Sequence, residues 1–301
     1  MGNIHINSFK SVQIEALSKE TKASLGYATG FICNYKDKYF LLTNWHVVSG
    51  RNFESKEIIH ASGAVPGYFN LTFQVGKNKT ETSLQPMTCN IPNLVLYDYK
   101  IEEQKLIMGD TPLWIEHPEK GSDMDIAAIE ITSDIPHHEE IATIAYEIEK
   151  ESEKNFPLNV MDNVFIVGYP LKSTTTPNAY PIYKGATIAS EPNVFKDLPM
   201  FYIDGKTKKG MSGSPVIKRE NLKVTQDEAK ISFTEGNVNL IGIYSGRERQ
   251  SKDEHEAELG IVWRMIECII PTIEQALIAD TVNKSFKGVF SKIVTQAKKP
   301  K

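Results

Sequence analysis

The stretch Gly210-Met211-Ser212-Gly213-Ser214-Pro215-Val216-Ile217 constrains this chain more than any other. Two glycines let the backbone fold tightly, and the apolar pair Val216-Ile217 then starts a buried run. A turn of this kind can hold a serine hydroxyl at a fixed, exposed position. It can also aim backbone N–H groups at one point in space. Acyl transfer needs both, a nucleophile and donors for the oxyanion that forms on attack. Ser214 directly precedes Pro215, which restricts it to an extended backbone suited to the start of a strand. Ser212 is therefore the better candidate nucleophile.

Around this turn the chain reads as β-structure. Leu25 to Cys33 and Tyr39 to Thr43 flank a polar Lys-Asp-Lys turn and predict a hairpin. Strand-like runs recur at 67–75, 94–99, 125–131, 163–170, 182–189, 200–204, 239–246 and 259–264, separated by polar turns. Residues 8–22 are mixed and fit a helix or an edge strand. The acidic segment 134–156 interrupts the rhythm and reads as a solvated connector. From Arg264 the apolar spacing becomes helical through Ile266, Ile269, Ile270, Ile273, Ala276 and Leu277, predicting a helix over 264–279 that Pro271 would kink. A weaker amphipathic stretch, 286–293, and a basic tail follow. The expected division is an N-terminal unit over 1–133, the connector at 134–156, a second β-unit over 157–263, and a helix with tail over 264–301.

Composition excludes several classes of function. The formal net charge of −4 over 301 residues disfavours nucleic-acid and anionic-membrane partners. No apolar run reaches the ~18 residues of a membrane span. The first residues lack the basic and apolar regions of a signal peptide, and Ile6 breaks a myristoylation pattern. Three widely spaced cysteines, Cys33, Cys89 and Cys268, suit neither a disulfide framework nor a zinc site. A reducing, cytoplasmic location with no metal or cofactor is the expectation.

Seven histidines are present. His5, His60, His117, His137, His138 and His255 stand in polar or turn contexts expected at the surface. His46 instead follows the apolar strand Tyr39 to Thr43, at the rim of which a base could sit, although taken alone it reads better as a half-buried structural residue. Asp123 and Asp125 both precede the apolar run Ile126 to Ile129. They lie two apart and face the same way in an extended chain, so periodicity does not separate them.

Three motifs in order resemble those of the trypsin-like serine proteases: Thr43-Asn44-Trp45-His46-Val47-Val48, Asp125-Ile126-Ala127-Ala128-Ile129 and Gly210-Met211-Ser212-Gly213-Ser214-Pro215. The resemblance covers about residues 24–280 and is closest to bacterial members. It implies an all-β fold of two six-stranded antiparallel β-barrels with a C-terminal helix, and serine endopeptidase activity on a protein or peptide substrate. It further implies that Ser212 is the nucleophile, His46 the base and Asp125, rather than Asp123, the acid that orients it. The backbone N–H groups of Gly210 and Ser212 would form the oxyanion hole. Substrate contacts would come from Lys206 at the pocket base, from Tyr244, Ser245 and Gly246 along one wall, and from Gly260, which would leave the pocket open. Ser245 would also partner Asp125.

The chain departs from the family pattern in three places. Met211 stands where secreted members carry an aspartate that pairs with a newly cut N-terminus, so activity without N-terminal trimming is expected. Ser214 replaces a glycine. The stretch between His46 and Asp125 is long and predicts an insertion within 51–115 that could cover the cleft. Lys206 could favour an acidic substrate side chain or be one of several solvated lysines. The competing reading is a catalytically silent binding or regulatory module that keeps the fold; an active form would have to be restrained by cleft occlusion, a regulatory partner or a narrow pocket.

Overall fold

The computed structural model describes residues 4–80, 83–102, 105–133, 144–152, 157–170, 180–194, 198–220, 223–227, 230–234, 237–247 and 259–278. The N-terminal half carries β1 (Ser11–Ser18), β2 (Ser24–Tyr35), β3 (Lys38–Thr43), β4 (Pro66–Thr80), β5 (Ser83–Val95), β6 (Tyr97–Glu102), β7 (Lys105–Pro112), β8 (Ala127–Glu130) and β9 (Tyr146–Glu147). The C-terminal half carries β10 (Asn163–Gly168), β11 (Ile182–Ile188), β12 (Met200–Asp204), β13 (Pro215–Arg219), β14 (Lys223–Asp227), β15 (Lys230–Thr234), β16 (Val238–Arg247) and β17 (Leu259–Arg264).

Strands β10–β11–β12–β17–β16–β13 close into a six-stranded barrel. In the N-terminal half six strands follow one path, β5–β4–β1–β2–β3–β8, and β9 joins β2 by parallel pairing as a seventh. Alternation along β2 and β3 serves two cores at once. Ile32 and Leu41 face the interior of the N-terminal sheet, whereas Phe31, Phe40 and Leu42 face a second cluster with Trp263, Cys268, Ile269 and Ile273. The same strands therefore weld the two halves together. A third cluster, including Ile203, Met211, Tyr244 and Val262, fills the closed barrel.

Several sequence expectations are corrected. Residues 11–18 are a central strand, paired with β2 on one side and β4 on the other, and not an edge. The insertion within 51–115 is smaller than expected, because β4 and β5 belong to the main sheet and only the β6–β7 hairpin stands apart as its own two-stranded sheet. The β14–β15 hairpin had no counterpart in the sequence reading. The described part of the 134–156 connector, residues 144–152, is packed rather than solvated. Tyr146 and Ile148 are buried, and the Glu151 carboxylate accepts the Leu240 N–H at 3.1 Å. Residues 134–143 and 153–156 of that connector, the stretch 286–293 and the basic tail lie outside the described residues.

The C-terminal helix begins with a wide π turn over Met265–Ile269 and continues as an α-helix over 270–278. Pro271 explains the change of pitch, since it has no N–H for the carbonyl four residues back and its ring would collide with it. That carbonyl belongs to Glu267, and the ring of His117 donates to it instead. His117 was expected at the surface and is buried, its Nδ1 accepting the N–H groups of Glu119 and Lys120 at 3.2 Å. Burial holds the His117 pKa below its ordinary value, with the Glu267 bond opposing. The folded state thus takes up this proton less readily than the unfolded chain does. The stabilisation is complete above about pH 6.5 and is lost as pH falls below it. Urea titrations at pH 8 and pH 5 check this: His117→Gln should narrow the difference in unfolding free energy between the two.

All three cysteines are buried and none is in a disulfide, and burial pushes the Cys33 and Cys268 thiols up, so neither is a nucleophile. Among the described residues no helix is long and apolar enough to cross a membrane.

Candidate active site

A cleft of about 570 Å³ runs between the two halves. Its N-terminal wall includes Leu25, Tyr27, His46 and residues of the 51–66 loop, and its C-terminal wall includes Lys209, Gly210, Ser212, Ser245 and Gly246. The loop after His46 therefore borders the cleft, with Phe53 packed edge-on against Trp263 at a centroid distance of 6.2 Å.

His46 lies in a one-turn helix, α1 (Trp45–Ser49), which Gly50 ends in a left-handed conformation (φ 68°). Asp125 immediately precedes the β8 region and is 0% exposed. Its Oδ2 meets His46 Nδ1 at 2.7 Å and its Oδ1 accepts the His46 backbone N–H at 2.8 Å. The same Oδ2 accepts the Ser245 hydroxyl, and the Asn44 side-chain amide donates to the Asp125 carbonyl at 2.8 Å. The imidazole is therefore held at its backbone and its ring by one buried carboxylate. Asp123, which periodicity left as a rival, is 76% exposed and pairs with Lys56 at 3.3 Å.

The two candidate serines separate as sharply. Ser214 is 0% exposed, and its hydroxyl is buried against Gly168 with no hydrogen-bond partner among the described residues. Ser212 lines the cleft with His46. Its hydroxyl donates to the Ser245 carbonyl at 3.4 Å, and no hydrogen bond joins it to His46 among the described residues. A bond of that length is weak, so little holds the hydroxyl away from the imidazole. Gly246 (φ 129°) keeps this space open, since a Cβ there would sit 3.9 Å from Ser212 Oγ.

The serine turn is shaped by its glycines and by Thr29. Met211 N–H bonds the Lys208 carbonyl at 3.3 Å, closing a turn with Gly210 at φ 95°. The N–H groups of Gly210 and Ser212 have no acceptor among the described residues. Thr29, from β2, grips the turn from the opposite half. It donates its hydroxyl to the Gly210 carbonyl at 2.7 Å and its N–H to the Ser212 carbonyl at 2.8 Å. Its Oγ1 accepts the Tyr169 N–H at 3.0 Å. Sequence reasoning missed Thr29; the available signal was a polar residue inside the apolar run Leu25 to Cys33. Thr29→Val removes both hydroxyl bonds at nearly constant volume. It should cost about 1–3 kcal/mol of stability, read from denaturant midpoints, by leaving the buried Tyr169 N–H unpaired.

The substrate-contact candidates divide. Ser245 and Gly246 line the cleft. Tyr244 is buried in the closed barrel and does not line the cleft. Gly260 does not leave an open pocket, because the space beside it is taken: a Cβ on Gly260 would lie 2.6 Å from Tyr244 Cε2. Lys206 is exposed while its neighbours Gly205 and Thr207 are buried, since successive residues of an extended chain face opposite ways. It does not line the cleft, so an acidic-substrate preference loses its basis. Met211 is fully buried in the barrel core, an apolar packing residue where an ion pair was the family pattern. Among the described residues no group of side chains could hold a metal ion.

The sequence model described as trypsin-like peptidase domain matches residues 28–224, more than half of the chain. The chain belongs to the trypsin-like peptidase family. Two solved structures are similar to this peptidase. An inactive-form serine-to-alanine mutant of Rv3671c from M. tuberculosis H37Rv is 16% identical, with 89% of this chain and 87% of that chain covered and a TM-score of 0.39. A serine endoprotease from Yersinia pestis is 14% identical, with 94% and 67% covered and a TM-score of 0.40. The comparison with curated proteins found no match.

Proposed function

We propose that this peptidase is a serine endopeptidase that hydrolyses peptide bonds of protein or peptide substrates through Ser212, His46 and Asp125. The observation that carries the reading is the buried Asp125 carboxylate, which binds both the Nδ1 and the backbone N–H of His46 beside the cleft that exposes Ser212. Ser212 Oγ attacks the scissile carbonyl carbon and His46 Nε2 takes its proton. Asp125 keeps the Nδ1 proton in place and stabilises the imidazolium. The oxyanion is met by the N–H groups of Gly210 and Ser212, each such donor being worth about 10²–10³ in kcat. The C–N bond breaks as His46 protonates the leaving amine, and water then releases the acyl group by the reverse proton path.

The silent-module alternative draws on one observation, the Ser212 hydroxyl turned toward the Ser245 carbonyl. Cleavage of fluorescein-labelled casein, with new termini mapped by mass spectrometry, decides between them. Full-length protein should cleave, without prior N-terminal trimming, and Ser212→Ala should be slower by at least about 10³-fold. Equal traces for the two proteins would favour the silent module.

A further inference from the structure

The geometry points to Tyr244 as a built-in plug that restricts the residue before the scissile bond to a small side chain. An acyl group on Ser212, with its oxygen toward the Gly210 and Ser212 amides, would have its side chain beside the wedge of the cleft lined by Lys209 and Gly210 on one side and by Ser245, Gly246 and Ile261 on the other. In this chain the two walls of that wedge already touch. The Tyr244 hydroxyl and Thr207 Oγ1 are 2.5 Å apart, joining β16 directly to the segment leading into the serine turn. The Tyr244 ring lies against Gly260, the position at which a missing side chain would otherwise open space. Tyr244 is 1% and Thr207 3% exposed, so neither leaves room for solvent at the back of the wedge.

The plug is fixed rather than a gate. Its ring packs in the barrel core with Met211, Ile203 and Val262, and a close-packed interior does not yield that volume without moving several neighbours. The backbone of the same residue is also committed: its carbonyl accepts the Gly213 N–H and its N–H donates to the Ser214 carbonyl, at 2.8 and 2.9 Å. Tyr244 is thereby tied to the serine turn by side chain and main chain together. Glycine, alanine or serine fits the shallow space that remains. A larger side chain has to displace an aromatic ring.

This inference rests on the serine endopeptidase reading, and its test separates the two. Full-length protein is incubated with a peptide library in which the residue before the scissile bond is varied through all amino acids, and products are mapped by mass spectrometry. Cleavage after Gly, Ala and Ser should exceed cleavage after Phe, Leu, Lys and Glu by at least about tenfold, the scale on which hydrophobic pockets discriminate by size. Tyr244→Val, a smaller strand-forming residue, should raise the Leu:Ala ratio by about tenfold or more. Tyr244→Phe keeps the ring and should keep the ranking. Wild-type cleavage after Phe, Leu or Lys as fast as after Ala overturns the plug, as does an unchanged ranking in folded Tyr244→Val. If that variant does not fold, the wild-type ranking decides alone. Failure of the endopeptidase reading looks different: the wild type then cleaves no library member beyond the Ser212→Ala background, and the plug falls with it.

Discussion

Asp125→Asn is expected to lower kcat by about 10⁴-fold while leaving the fold in place. The side chain keeps its shape, and its remaining carbonyl oxygen can still accept the His46 backbone N–H, as Oδ1 does at 2.8 Å. The new amide then occupies the Oδ2 position, which now meets His46 Nδ1 at 2.7 Å and also accepts the Ser245 hydroxyl. An NH₂ group there donates to Nδ1 and forces the imidazole proton onto Nε2. That is the nitrogen required to take the Ser212 proton, so the base is blocked by its own hydrogen. Steady-state kinetics on a cleaved peptide, paired with thermal unfolding, check the result. A midpoint close to wild type with activity reduced by only a few fold would mean that Asp125 has a structural role alone.

The second large effect is on folding. Gly213 has φ 82°, and a Cβ there would run into the Thr29 carbonyl oxygen and Thr43 Oγ1. Both threonines are fully buried, and the carbonyl is itself the acceptor of the Thr43 hydroxyl at 2.9 Å. The colliding atoms are therefore held and cannot swing aside. Gly213→Ala combines the strain of a left-handed non-glycine residue, about 1–3 kcal/mol, with overpacking of a filled site, about 1–3 kcal/mol. The sum, about 2–6 kcal/mol, is comparable to a large share of the stability of an ordinary domain. Thermal unfolding should show a fall on the order of 10 °C. A variant within 2–3 °C or so of wild type would mean that the serine turn relaxes freely, and the rigid-turn account would fail with it.

The parts of this molecule that the sequence made legible are those whose cause is local. The Leu25–Cys33 and Tyr39–Thr43 runs form β2 and β3 because alternation and a polar turn act within a few residues. The proline after Ser214 marks it as the start of a strand, and its hydroxyl is buried with no hydrogen-bond partner among the described residues. What escaped depends on partners distant in the chain. His117 looks like a turn residue, but it is buried and its ring bonds the backbone of Glu267, 150 residues later (267 − 117). Thr29 acts on a turn more than 180 residues away. The family resemblance of residues 242–246 puts Tyr244 on the substrate wall with Ser245 and Gly246. A register shift between Tyr244 and Gly246 in the pairing of β16 with β17 breaks simple alternation at that point, and the ring goes into the barrel instead. Lys206 shows the same sensitivity: one step along an extended backbone moves a side chain from pocket to solvent.

The central claim is that His46 and Asp125 make Ser212 a nucleophile. A fluorophosphonate probe reads that property directly, because it adds covalently to a serine only when a neighbouring base activates it. With full-length protein the account predicts one phosphonylated peptide, carrying the label on Ser212, lost in Ser212→Ala and strongly weakened in His46→Ala. No label on the folded wild type, or a label on Ser212 that persists undiminished in His46→Ala, would contradict it.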